Sequence, residues 1–193
     1  MPDTIRDGKG RGYLGAVNSN NQLVTRATVV EQRLKSAVDE NYYEVTTGQV
    51  TLTDAVETGL IYISTTDTDK VLVIDRVFFD TWESTSGTGG GILKYYINPT
   101  VTGGTAVTPT NTNFSSNSTP SVTVKKSVTS IDTGDVWWTG YLGAGSGVAL
   151  EEGRIVLPAG SSFAISAAAP ASNTSMKISI NVAFYMLDTE LLD

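Results

Sequence analysis

Between residues 177 and 187 the chain reads KISINVAFYML, and its side chains sort by parity. Ile178, Ile180, Val182, Phe184 and Met186 fall on one face, with Lys177, Ser179 and Asn181 on the other. Successive side chains of a strand point to opposite faces, so a period of two predicts a strand with one face in a core. Similar segments recur from Tyr42 onward, at 43–52, 60–64, 71–82, 92–98, 122–128, 136–142, 153–157 and 163–168. Loops rich in Gly, Pro, Ser, Thr and Asn separate them, notably 84–91 and 99–120. Strands so punctuated, with no helices to serve as parallel crossovers, predict an all-β fold. The expected architecture is an antiparallel β-sandwich of jelly-roll-like kind.

The start of the chain has a different character. Residues 1–40 read as an extended N-terminal arm and residues 41–193 as the sandwich domain. Residues 1–12 are polar, basic and glycine-bearing, with no apolar run of the kind a secretory signal carries. Residues 14–25 read as two short extended pieces about an Asn-rich turn at 18–21. Within 27–39, Val30, Leu34, Ala37 and Val38 recur at helical spacing, the one place where a short helix is expected. Charge divides in the same way. Residues 1–36 hold six basic and three acidic side chains, net +3, whereas the remainder holds 7 basic and 17 acidic, net −10. A basic arm on an acidic body suits docking on an acidic surface such as a neighbouring subunit. No basic stripe with interleaved aromatics is present, so no nucleic-acid partner is expected. No stretch approaches the ~20 apolar residues of a membrane span, so no membrane is expected either.

The 193 residues include no histidine and no cysteine. Histidine-based acid–base catalysis, Ser-His-Asp triads and His-containing zinc sites are thereby excluded. So are thiolate nucleophiles, iron–sulfur clusters and disulfides. The remaining candidates for chemistry are weak. Asp132-Thr133-Gly134 matches the short aspartic-protease signature in a single copy, and Asp-Thr-Gly-Asp also makes an ordinary β-turn. Asp67-Thr68-Asp69 offers oxygens to calcium but lacks the rest of a binding loop. The glycine-rich runs 87–91 and 143–147 precede neither a helix nor Gly-Lys-Ser/Thr, and are expected to be loops. Neither a cofactor nor a metal is expected, and the chain reads as non-enzymatic.

Five adjacent aromatic pairs point instead to assembly: Tyr42-Tyr43, Phe78-Phe79, Tyr95-Tyr96, Trp137-Trp138 and Phe184-Tyr185. In a regular strand each doublet sends one ring into the core and one outward. Outward rings on several strands imply a second face covered by the arm, by loops or by other subunits. Tyrosine and tryptophan suit interfaces, having an apolar body and a polar handle. Tyr42, Tyr95, Trp137 and Trp138 are therefore candidate interface residues, together with Arg6, Lys9, Arg11, Tyr13, Leu14 and Val17 of the arm.

Four segments carry a resemblance: LGAVNSNNQLVTRATV (14–30), GQVTLTDAVETGLIYIS (48–64), LPAGSSFAIS (157–166) and NTSMKISINVAFYML (173–187). Together they resemble virion structural proteins of tailed bacteriophages, closest to small auxiliary proteins that decorate or cement the capsid or form head or collar appendages. The resemblance implies a β-sandwich behind an N-terminal arm, assembly into a homotrimer, and the major capsid protein or another virion protein as partner. It implies a place in the virion, assembled in the host cytoplasm. It transfers no catalytic residue. One alternative is a tail, collar or fibre protein whose Trp137, Trp138 and loop 99–120 recognise host glycans. Another is a glycoside hydrolase using two of Asp132, Asp135, Glu151 and Glu152, which requires two carboxyls about 5–10 Å apart.

Overall fold

The structure is a computed structural model that describes residues 16–17, 23–24, 32–53, 56–82, 91–142, 145–170 and 176–189; for 16–17, 23–24, 32–33 and 145–154 it describes the backbone. The chain divides into two compact units, Met1–Glu31 and Gln32–Asp193. In the first, β1 (Ala16–Val17) pairs antiparallel with β2 (Leu23–Val24), in agreement with two extended pieces about the Asn-rich segment.

The second unit begins with α1 (Gln32–Val38), followed by β3 (Tyr42–Thr46), β4 (Val50–Thr51), β5 (Thr58–Thr65), β6 (Lys70–Trp82) and β7 (Gly91–Ile97). Five short strands follow: β8 (Val101–Thr102), β9 (Thr105–Ala106), β10 (Thr110–Asn111), β11 (Val122–Lys126) and β12 (Ser130–Ile131). The last four are β13 (Asp135–Leu142), β14 (Gly145–Leu157), β15 (Ser162–Ala168) and β16 (Lys177–Asp188). They form two main sheets. Sheet I runs β10-β3-β16-β6-β14, with β4 also on β16; sheet II runs β13-β7-β15-β5-β11-β9. The fold is an all-β, antiparallel sandwich. Leaving out β4 and the strands of residues 98–134, eight strands remain. They pair first with last, second with seventh, third with sixth and fourth with fifth.

The core lies between the sheets. The five inward residues expected on β16 are all buried, and Tyr43, Leu72, Ile74, Leu93, Tyr95, Phe163 and Ile165 meet them. Phe184 stacks on Tyr43 with ring centroids 5.6 Å apart. Burying a side chain of this size stabilises by about 2–3 kcal/mol.

Three single-residue bulges break the parity rule, each setting two residues opposite one partner, and a wider irregularity sets 151–154 of β14 against Asp75. On β5 the extra residue is Leu60, so both Leu60 and Ile61 enter the core. On β6 it is Asp75, and both Asp75 and Arg76 bond to side chains of the outer face, Tyr42 and Glu44. On β13 it is Trp137.

The outer face of sheet I has a cover of its own. Ala37 of α1 and Leu187 pack on Tyr42, Val71, Val73, Ala183 and Tyr185. The helix ends with Glu40 at φ 62°, where Glu40 N–H donates to Ala37 C=O and Asn41 N–H to Ser36 C=O. A left-handed residue in this position closes a helix by satisfying its last carbonyls. The helix occupies 32–38 of the expected 27–39, and residues 27–31 lie outside the described residues. Its buried side differs from the expected stripe: Leu34 and Val38 are exposed, while Ser36 is buried. A seven-residue helix needs little apolar surface to sit on a sheet, so small Ser36 and Ala37 decide the approach.

Two loop expectations are corrected. Residues Gly145 and Gly147 pair in register with β6 and belong to β14, because a long β6 offers its full edge as a template. Segment 99–120 is tied to both sheets, with β10 on β3 and β9 on β11.

Candidate interaction surface

The two sides of the sandwich finish differently. On one side residues 98–134 lay β10 along β3 and β11 along β5. On the other side β13 and β14 are the outermost strands, and among the described residues nothing pairs with the outer edge of β13. An open edge presents unpaired N–H and C=O groups, and edges are commonly blunted with Lys or Pro. Strand β13, DVWWTGYL, contains neither, and its one charge, Asp135, stands at its start.

The bulge at Trp137 sets the rings. Both Trp137 and Trp138 lie against Tyr95, with centroids 6.3 and 4.8 Å away. Consecutive tryptophans therefore share a neighbour instead of splitting between faces, a correction to the expected one-in, one-out arrangement. Gly140 makes room for this: a Cβ there would fall inside the Trp138 ring. Trp137 also closes a cleft of about 140 Å3 lined by Ile97, Ile155, Val156, Leu157 and Phe163. Outside it, Trp137 is 44% exposed, Trp138 39%, Val136 48% and Tyr141 85%. Ile92 and Ile97 of β7 are exposed beside them.

A polar cluster sits on the outer face of sheet II. The Glu57 carboxylate accepts from Lys94 Nζ at 2.6 Å, from Ser166 Oγ at 2.7 Å and from the Tyr96 hydroxyl. Burial pushes the Glu57 carboxyl up, but the bonds from Lys94, Ser166 and Tyr96 outweigh it and hold the group below the usual carboxylate range. The bond to Glu57 raises the Lys94 ammonium against the opposing effect of burial. Burial and then the Glu57 bond raise the Tyr96 phenol. A lysine held charged and a serine hydroxyl spent on a carboxylate are poor nucleophiles, so the cluster acts as a tie between β7, β15 and the segment before β5.

No family model matches the chain, and no curated protein matches it.

The residues singled out in the sequence have mixed fates. Arg6, Lys9, Arg11, Tyr13 and Leu14 lie outside the described residues, and Val17 is a backbone position of β1. Trp137 and Trp138 come together at the open edge. Tyr95 is 1% exposed and points into the core, so the outward ring of its doublet is Tyr96. Tyr42 does face outward but is covered by α1, 6% exposed, and donates to Asp75 Oδ2 at 2.7 Å. Burial, then the Asp75 bond and charge, pushes its phenol well above its usual value. Both tyrosines are therefore corrected from interface to interior.

Asp132 accepts from Ser130 Oγ at 2.6 Å and Thr102 Oγ1 at 2.7 Å, and these bonds lower its carboxyl. It pins the β8–β12 pair. Asp67 Oδ1 accepts from the Asp69 and Lys70 N–H groups, which makes the β5–β6 turn. Asp135 is exposed, and the side chains of Glu151 and Glu152 lie outside the described residues. Among the described residues no three His, Cys, Asp or Glu side chains cluster as metal ligands. Sequence reasoning missed Val136, Tyr141, Ile92 and Ile97, whose exposure follows from strand order, and Glu57, whose partners are 37 to 109 positions away.

Proposed function

We propose that the chain is a non-enzymatic virion structural protein of a tailed bacteriophage, a capsid decoration or cement protein that acts as a homo-oligomer. Its partner is the major capsid protein or another virion protein, engaged through the N-terminal arm, and it joins the particle in the host cytoplasm. The observation that carries the reading is the apolar edge of β13, a long strand rich in aromatics and almost free of charge, which suits protein contact better than solvent. The nested pairing of first strand with last through to fourth with fifth supports it, since such pairing suits a jelly-roll-like sandwich, an architecture used in capsid domains. The basic arm on an acidic body adds charge complementarity for docking. Cementing then works by area: each Å2 of apolar surface buried between subunits contributes ~25 cal/mol, less the cost of association.

Co-sedimentation with purified heads of the cognate phage tests the reading. The full chain should pellet with the heads, and a chain lacking residues 1–24 should stay folded in the supernatant. Binding retained without those residues overturns the arm assignment; a full chain that never pellets overturns the cement reading. The paired tryptophans beside a cleft favour one second reading, a tail, collar or fibre protein that stacks host glycans. Glycan-array binding lost in Trp137→Ala and Trp138→Ala would establish it.

A further inference from the structure

We infer that Phe114 is a preformed anchor whose ring seats in the Trp137 cleft of a neighbouring copy, joining copies of this chain head to tail. The inference rests on the homo-oligomeric part of the proposed function and deepens it by naming the two surfaces that meet. Ring and cleft match in size, in chemistry and in placement.

Phe114 is 90% exposed, the most exposed large apolar side chain among the described residues, yet its loop is held in place. Asn113 Oδ1 accepts from Ser115 Oγ at 2.7 Å and from the Ser115 N–H, and the Asn113 N–H donates to Asn111 Oδ1 at 2.8 Å. Buried Asn111 in turn donates through Nδ2 to Glu40 C=O at 2.8 Å. Ser116 Oγ donates to Glu40 Oε2 at 2.6 Å, and Ser118 Oγ is hydrogen-bonded to the hydroxyl of the core residue Tyr43 at 3.0 Å. A loop ordered beforehand loses little freedom on contact, which makes an exposed ring an effective anchor.

The cleft opens on the side of the sandwich away from β10. Ile155, Leu157 and Phe163 form its buried floor, and Ile97 and Trp137 its exposed rim. It holds about 140 Å3 and is lined by apolar residues throughout. An apolar cavity of roughly 150 Å3 takes up one benzene ring. A phenyl ring seated there meets the Trp137 indole as an aromatic pair. The chain's own ring cannot fill the space. Phe114 follows β10 and the cleft borders β14, the two ends of sheet I, four strand spacings or roughly 19 Å apart. Charge also favours a second copy. No charged residue lies between Lys94 and Lys125, between Asp135 and Glu151 or between Arg154 and Lys177, and these runs supply Phe114 and every residue of the cleft. Two chains of net charge −7 therefore meet here without setting like charges against each other. With one anchor and one cleft on opposite sides, the contact is heterologous, the kind that generates rings.

The test uses the purified full chain without particles, so it can fail independently of the capsid assay. Light scattering at about 100 µM should show the wild type as an oligomer. Phe114→Ala, at a solvent-exposed position, should raise the dissociation constant about 30-fold or more and bring the mass down towards one chain. Ile97→Lys lays a charged side chain across the rim of the cleft and should do the same; Ile97→Gln takes its place if the lysine chain does not fold. Each variant keeps the surface the other lacks, so an equal mixture should form heterodimers, the ring from one chain and the cleft from the other. A monomeric wild type overturns the inference, and so does an oligomer unchanged by Phe114→Ala. A mixture of folded variants that forms no heterodimer overturns it too. So does a monomeric wild type whose binding to heads is lost in Phe114→Ala, which would seat the ring on the capsid protein instead.

Discussion

Tyr42-Tyr43 and Trp137-Trp138 are the same kind of sequence feature, two adjacent aromatics in a strand, and they end in different surroundings. In β3 the alternation holds: Tyr43 enters the core on Phe184, and Tyr42 faces out. The outward ring is then covered by α1, stacks on Tyr185 at 6.2 Å and bonds to Asp75. In β13 a bulge puts both rings beside Tyr95, and nothing among the described residues covers them. The difference comes from position in the sheet. β3 has a neighbour on each side and a helix above, whereas among the described residues β13 has β7 alone. A doublet reports that a strand is worth covering, and the sheet order decides whether the chain covers it itself.

The comparison is sharpest at the core ring. Tyr43→Ala should cost about 3–5 kcal/mol in urea unfolding, the range for removing a buried aromatic. Trp137→Ala should cost less than half of that in the same measurement, and equal losses would break the contrast between the sites. Tyr42→Phe is the next largest test. It takes one donor from the buried Asp75 carboxylate and should cost about 1–3 kcal/mol, although it removes a single oxygen. A neutral result would mean that the outer cover is held by packing alone.

Gly140→Ala tests the open edge. The new methyl must displace the Trp138 ring, so tryptophan emission should shift to longer wavelength as the ring enters water. The stability loss should be about 1 kcal/mol, because a ring at an edge can swing away. Unchanged emission would place Trp138 elsewhere.

The smallest effect concerns Glu57. Its carboxyl titrates below the unfolded value of about 4.5, so its contribution is present above that pH and is lost as pH falls through the lower folded value. Glu57 and Lys94 are each about a third exposed, so water screens the pair and the contribution stays under ~1 kcal/mol. The stability difference between wild type and Glu57→Gln should therefore shrink from pH 6 towards pH 3. A constant difference would show that Glu57 acts through packing.

Most of the strands were legible because two local signals agree, parity and punctuation. The β16 pattern identifies its inward residues correctly, and segments 71–82 and 136–142 match β6 and β13 to within a residue at each end. What parity cannot carry is a residue inserted opposite nothing. Leu60, Asp75 and Trp137 look like ordinary strand residues, and each shifts the face of its neighbour because of the partner strand's register. The open edge was illegible for a related reason. Whether β13 lies at the rim or the middle of a sheet depends on pairings with strands distant in sequence. Glu57 had no local signal, being a lone acid before a strand whose partners come from β7 and β15. Tyr95 and Tyr96 were assigned the wrong way round because the doublet alone does not say which parity faces the core.

The nested pairing also bears on how the protein is made. Strand β16 lies between β3 and β6 in sheet I, and its contact with the Thr47 region joins residues 133 positions apart. During translation β3 and β6 emerge long before the strand that must sit between them. Sheet I therefore cannot close until β16 has left the ribosome, and pairings of such high contact order form in milliseconds to seconds. Over that interval a nascent chain carries two half-built strands with open edges, so a polysome synthesising this protein must keep neighbouring chains from supplying each other's missing centre.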